Sequence, residues 1–212
     1  MSGSYDFEEQ ERLAELKAWW EDNRWFVIGA LVAAMVAFAG YRGWLHWSQV
    51  RSEDASALFT PVAEANKAND EKKITSAAQA LIEKHPHSFY ASEAALLLAR
   101  RAFDAGQLDE AKLRLEWVLN HGVDELRGVA RMRLAAVLLE QKKYDEALKV
   151  IEGNKEEGFV ALAADLRGDV MLAQGRIDEA RAAYKAATEK AGPRNPVKQI
   201  AETKLNALGG AQ

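Results

Sequence analysis

"GRIDEA", residues 175–180, is the third appearance of one phrase: "GQLDEA" occupies 106–111 and "KKYDEA" occupies 142–147. The closing alanines, Ala111, Ala147 and Ala180, lie 36 and 33 residues apart. Ala77, 34 residues before Ala111, closes a weaker copy in "KKITSAAQAL". Recurrence at such a period marks a repeat array, in which each unit buries its apolar face against the next. Four units are therefore expected.

Between the phrases, apolar residues recur at helical three- and four-residue spacing. "SEAALLLARRAF" (92–103), "VARMRLAAVLL" (129–139) and "VALAADLRGDVML" (160–172) read as the first helices of successive pairs. A second helix begins near each phrase, where Asp109, Asp145 and Asp178 are placed to cap free N–H groups and meet the positive end of the helix dipole. Twelve residues before the four alanines lie Ala65, Ala99, Ala135 and Gly168, all small. Paired small residues let two antiparallel helices pack closely, and the period is that of the tetratricopeptide (TPR) repeat. The larger residues Leu115, Ile151 and Tyr184 follow four after their alanines. A helix from about 52 to 69 would open the array, with "KANDEKK" (67–73) as its loosest connection. "NPVKQIAETKLNAL" (195–208) would close it, Pro196 suiting a first helical turn, and "GGAQ" is a frayed end. The expected fold class is all-α: an N-terminal transmembrane helix followed by a helical-hairpin solenoid.

The transmembrane expectation rests on residues 25–41, "WFVIGALVAAMVAFAGY", which carry no charge. Continued through Leu45, a helix spans about 31 Å, enough for one crossing. Trp25 at one end, and Tyr41, Trp44 and Trp47 at the other, suit the two interfacial belts, and Arg42 is placed to snorkel. Gly29, Ala33 and Ala37 form a small-residue stripe that either admits a second membrane helix or reflects alanine abundance. "AFA" at 37–39 resembles a cleavage site, but the long acidic lead and the length of the apolar stretch favour an uncleaved anchor. Segments 1–24, 25–47 and 48–212 are thus read as acidic tail, anchor and TPR-like domain. The tail holds seven acids (Asp6, Glu8, Glu9, Glu11, Glu15, Glu21, Asp22) against three bases, while the whole chain carries −4. Such a charge pattern does not suit a nucleic-acid binder.

Chemistry is sparse. The chain has no cysteine, which excludes disulfides and thiolate sites. His46, His85, His87 and His121 are scattered, and "HPH" at 85–87 reads as a surface loop rather than a metal site. Neither a phosphate-binding loop nor a nucleophile elbow occurs. No enzyme and no cofactor are expected. A binding surface is the remaining candidate. By the repeat register the first helices present Arg100 and Phe103, then Met132 and Leu139, then Asp169 and Leu172 to the groove. The apolar members either hold peptide segments or pack as core.

The order of parts resembles the YfgM family, the ancillary subunit of the SecYEG translocon. The stretches that carry the resemblance are "WWEDNRWFVIGALVAAMVAFAGYRGW" (19–44), "FYASEAALLLARRAFDAGQLDEA" (89–111) and, most strongly, "GFVALAADLRGDVMLAQGRIDEARAAY" (158–184). The resemblance implies a bacterial inner-membrane protein with its N-terminus in the cytoplasm and its TPR domain in the periplasm. It further implies contact with the translocon, with a membrane-anchored chaperone of the prolyl-isomerase type (PpiD), and with exported client chains. A structural adaptor of another envelope assembly is the alternative.

Overall fold

The computed structural model describes residues 3–154 and 156–209; side chains are described from Arg12 onward, except at 48 and 155. The side chains of the tail acids Asp6, Glu8, Glu9 and Glu11, and residues 210–212 at the end of "GGAQ", lie outside what is described. Among the described residues every element is a helix: α1 (Gly3–Lys67), α2 (Glu71–Lys84), α3 (Phe89–Asp104), α4 (Leu108–His121), α5 (Asp124–Glu140), α6 (Tyr144–Glu152), α7 (Val160–Ala173), α8 (Ile177–Lys190) and α9 (Pro196–Ala207), with one 3₁₀ turn at Glu157–Phe159. The chain forms two compact units, Met1–Arg51 and Ser52–Gln212, and α1 contributes residues to both.

In the first unit, α1 presents its apolar residues outward. Trp25 is 75% exposed and Phe26 80%. The stretch reaches a mean hydropathy of 1.7, and by length and composition it can cross a membrane. A helix that is apolar all round and buries none of that surface in its own fold matches hydrocarbon better than water. At its ends Arg24 lies over the Trp25 ring at 5.8 Å and Arg51 over Trp47 at 4.5 Å, while Tyr41 stacks on Trp44. Around Gly29 nothing lies within 4 Å of an added Cβ, so that face of the small-residue stripe is open.

The second unit is a series of hairpins, α1–α2, α3–α4, α5–α6 and α7–α8, closed by α9. Ala111, Ala147 and Ala180 are fully buried, with Ala99 and Ala135 at 2% and 1% exposure. Gly168 is buried as well, because the Tyr184 ring fills the space a side chain would need: an added Cβ would meet that ring within 3 Å.

All four hairpins turn the same way. Asn69, Gly106, Lys142 and Gly175 have positive φ values of 56°, 72°, 60° and 76°. The next N–H returns to the carbonyl five residues earlier: Asp70 to Ala65, Gln107 to Ala102, Lys143 to Leu138 and Arg176 to Met171, at 2.8–3.0 Å. This is the Schellman closure, in which the left-handed residue ends the helix and its neighbours satisfy the orphan carbonyls. Lys142 occupies the slot that two other repeats give to glycine, at a steric cost of roughly 1 kcal/mol. Lys142→Gly is expected to raise stability by about 0.5 kcal/mol, the gain being partly offset by the freer unfolded chain. Chemical denaturation of both proteins checks it, a rise in midpoint at constant slope being the expected result.

The same turn corrects the register of the first hairpin. Asn69 aligns with Gly106 at a spacing of 37, so the partners of Ala99 and Ala111 are Val62 and Ile74, both fully buried. Ala77 is only half-buried and Ala65 lies three residues beyond the crossing, where it accepts the turn's closing N–H. "KANDEKK" is consequently not a loose connection but a tight turn. The side chains of Asp109, Asp145 and Asp178 likewise do not cap. The N-cap residues are Gln107, Lys143 and Arg176, none with a side-chain cap bond. The acids sit one residue inside the helix, where they act on the dipole. Asp70, in the first hairpin, does cap, accepting from Lys73 N–H at 3.1 Å.

The array is not uniform. Helix α6 has nine residues where α4 and α8 have fourteen. The apolar interior accordingly falls into a large cluster reaching from Ala55 to Val170 and a small one of Met171, Ala180 and Tyr184.

Candidate functional site

The first helices α3 and α5 meet over small residues, Ala99 on one and Ala136 on the other, and leave a cleft of about 260 Å³. Arg100, Phe103, Asp104 and Arg133 ring it, and Leu115 and Val137 floor it. Phe103 is 37% exposed whereas Leu115 is 1%, so an apolar floor opens through an aromatic rim. Arg100 pairs loosely with Asp104 at 3.6 Å, both side chains standing in solvent.

Of the groove residues predicted from the register, Arg100 and Phe103 are brought together at this cleft. Met132 is not available to a ligand: it is 3% exposed and belongs to the core. Its place in the repeat is that of Leu96, also buried, because the inward face of each first helix is wider than the small-residue pattern alone suggests. Leu139 is half-buried against the main cluster, and Leu172 remains exposed. Arg133 is a further member of the cleft; the signal for it is its spacing three residues before Ala136, on the same helix face. "HPH" divides, with His87 in solvent and His85 buried as the C-cap of α2.

Asp169 is engaged at the other end of the array. Ala201 of α9 is fully buried and stands 33 residues after Gly168, so α9 takes the place of a further first helix. Where earlier repeats bury Ala102, Leu138 and Met171, α9 supplies Lys204. Its Nζ donates to Asp165 Oδ2 and Asp169 Oδ2, both at 2.8 Å, and lies 5.4 Å from the centre of the Tyr184 ring. The Tyr184 hydroxyl donates to Asp169 Oδ1 at 2.8 Å. Asp165 is 5% exposed, and its Oδ1 has no hydrogen-bond partner.

Burial pushes the Asp165 carboxyl above the ordinary aspartate range, against the pull of Lys204. Burial opposes the charge on Lys204, but its hydrogen bonds to the two carboxylates outweigh that and raise its pKa. Burial, then the bond to Asp169, pushes the Tyr184 phenol well above its usual value. The signs combine at high pH. A lysine raised on folding gives stability that is complete below its ordinary value of 10.5 and lost as pH climbs through the folded one. A phenol raised on folding likewise penalises the fold once the unfolded tyrosine ionises, near 10.0. Asp165 contributes no acid lability, because a raised carboxyl favours the fold as pH falls. Thermal melting is expected to fall steeply as pH rises above about 10, and less steeply in Tyr184→Phe, which lacks the phenol's share.

A family model described as "Tetratricopeptide repeat-like domain" matches residues 17–210. A protein of Neisseria gonorrhoeae named "Ancillary SecYEG translocon subunit" is 32% identical, over 95% of this chain and 97% of its own. The chain belongs to the YfgM family of tetratricopeptide repeat-like proteins. Relatives of the same name in Aggregatibacter actinomycetemcomitans and Escherichia coli K12 are 29% and 30% identical, over 97% and 84% of this chain and 100% and 86% of theirs. The solved structure of the MamA RS-1 ArsTM double mutant superposes with a TM-score of 0.54 at 16% identity, over 73% of this chain and 94% of that one, a likeness of fold alone. Membership accounts for the repeat phrases as family architecture.

Proposed function

We propose that this YfgM-family chain is a non-enzymatic ancillary subunit of the SecYEG translocon. Its anchor, 25–47, crosses the inner membrane once with the N-terminus in the cytoplasm, and its TPR domain stands in the periplasm. There it helps newly exported chains pass to a membrane-anchored chaperone of the PpiD type. The observation that carries the reading is the shared name of relatives that align over nearly the whole chain, anchor and repeats together. Tethering the groove beside the exit site raises its effective concentration, so that weak contacts through Arg100, Phe103, Leu139 and Leu172 suffice.

Affinity purification of the full-length protein from mild-detergent membranes tests it. Translocon subunits and a periplasmic chaperone in comparable amount are the expected result. Their absence, with another envelope complex in their place, would make the chain a structural adaptor unconnected with export. Replacing the anchor by an unrelated transmembrane helix separates the contacts: lost co-purification assigns docking to the anchor, and retained co-purification assigns it to the TPR domain.

A further inference from the structure

Ala136 stands where the neighbouring first helices carry Arg100 and Asp169, and its small side chain leaves the cleft between α3 and α5 open. At about 260 Å³ the cavity lies below the range of about 300–1,000 Å³ typical of small-molecule sites. It suits one large apolar side chain. Arg133 stands at the mouth, exposed and without an ion-pair partner among the described residues. Arg100 is the second guanidinium there, and Asp104 neutralises only one of the two. A guanidinium fork matches a carboxylate in two parallel hydrogen bonds.

We propose that the α3–α5 cleft is an anchor pocket for an extended peptide segment that carries a bulky apolar residue next to an acidic side chain. The apolar residue enters over Phe103 onto Leu115, and the acid pairs with Arg133. The inference rests on the reading above for the source of the peptide, and it gives the groove a preference: apolar–acidic segments over apolar–basic ones.

The test uses full-length protein in detergent micelles and fluorescein-labelled, C-terminally amidated Gly/Ser peptides with a central Phe-Glu, Phe-Gln or Ala-Glu pair. Phe-Glu is expected to bind tightest. Glutamine should weaken binding about three- to fivefold, the scale of an exposed ion pair, and alanine at least about tenfold, the scale of a buried phenyl ring. Arg133→Gln should erase the Glu/Gln difference, and Ala136→Phe should fill the pocket and abolish binding. If Ala136→Phe loses its helical signal, Arg133→Gln alone decides. Equal binding of Glu and Gln peptides to the unmodified protein overturns the proposal, as does unchanged binding to a folded Ala136→Phe variant, or binding by the free-acid form of the Phe-Glu peptide with none by the amidated form. The export reading fails separately: selective peptide binding without translocon subunits in the purification would sink that reading and leave the pocket standing.

Discussion

Lys204→Met is expected to destabilise the Ser52–Gln212 unit by about 3 kcal/mol, the lower part of the range for breaking a buried charge pair. The lower part applies because Lys204 keeps 30% of its side chain in solvent, while Asp165 has 6%. Without the ammonium, two carboxylates four residues apart face each other in a site that already leaves Asp165 Oδ1 unpartnered. The double change Asp165→Leu with Lys204→Met should recover most of the loss, since Leu96 and Leu138 occupy the corresponding places in earlier repeats as ordinary core. Urea denaturation of the single and double variants decides the matter. A single variant within about 0.5 kcal/mol of the parent would mean that α9 is held by Ala201 and its neighbours alone.

The second large effect concerns Gly168. A methyl group there would lie within 3 Å of three atoms of the Tyr184 ring, and that ring is fully buried and tied to Asp169. Gly168→Ala gains about 1 kcal/mol of helix propensity and loses about 1–3 kcal/mol to overpacking, so a net loss of about 1 kcal/mol is expected. Gly168→Val adds a second clash and forgoes the propensity gain, and about 3 kcal/mol is expected for it. Shortening the neighbour provides the control: in a Tyr184→Leu background Gly168→Ala should become neutral or stabilising. A penalty that persists there would assign the loss to the backbone rather than to the ring.

These expectations show which parts of the architecture could be read from residues alone. Ala111, Ala147 and Ala180 located three hairpins, because a small residue at a close helix crossing tolerates no replacement without separating the helices. The first hairpin was misaligned for the same reason in reverse: Val62 and Ile74 make a larger crossing, and alanines nearby imitated the pattern. The left-handed turn was the better marker. Asn69 is, after glycine, a residue suited to that conformation, whereas Lys142 shows that a repeat can impose it on an ill-suited side chain. At the groove, periodicity placed Arg100 and Phe103 on the exposed face but also Met132, whose burial depends on how deeply neighbouring helices interlock. The union of Lys204 with Asp165 and Asp169 spans 35 to 39 residues. In the sequence Asp169 reads as a groove residue and nothing marks Lys204 as its partner; only the docking of α9 brings the three charges together.

The shortened α6 has a mechanical consequence. In a linear array each hairpin is held chiefly by its neighbours, so the coupling at one junction sets how independently the pieces on either side move. Five residues fewer in α6 than in α4 leave a cavity of about 410 Å³ against α7 and α8, at the boundary between the two apolar clusters. The spring is therefore softest at one link. Opening there would release α7, α8 and α9 as a block while α3, α4 and α5 keep their contacts, and amide exchange in the terminal block would run ahead of the rest.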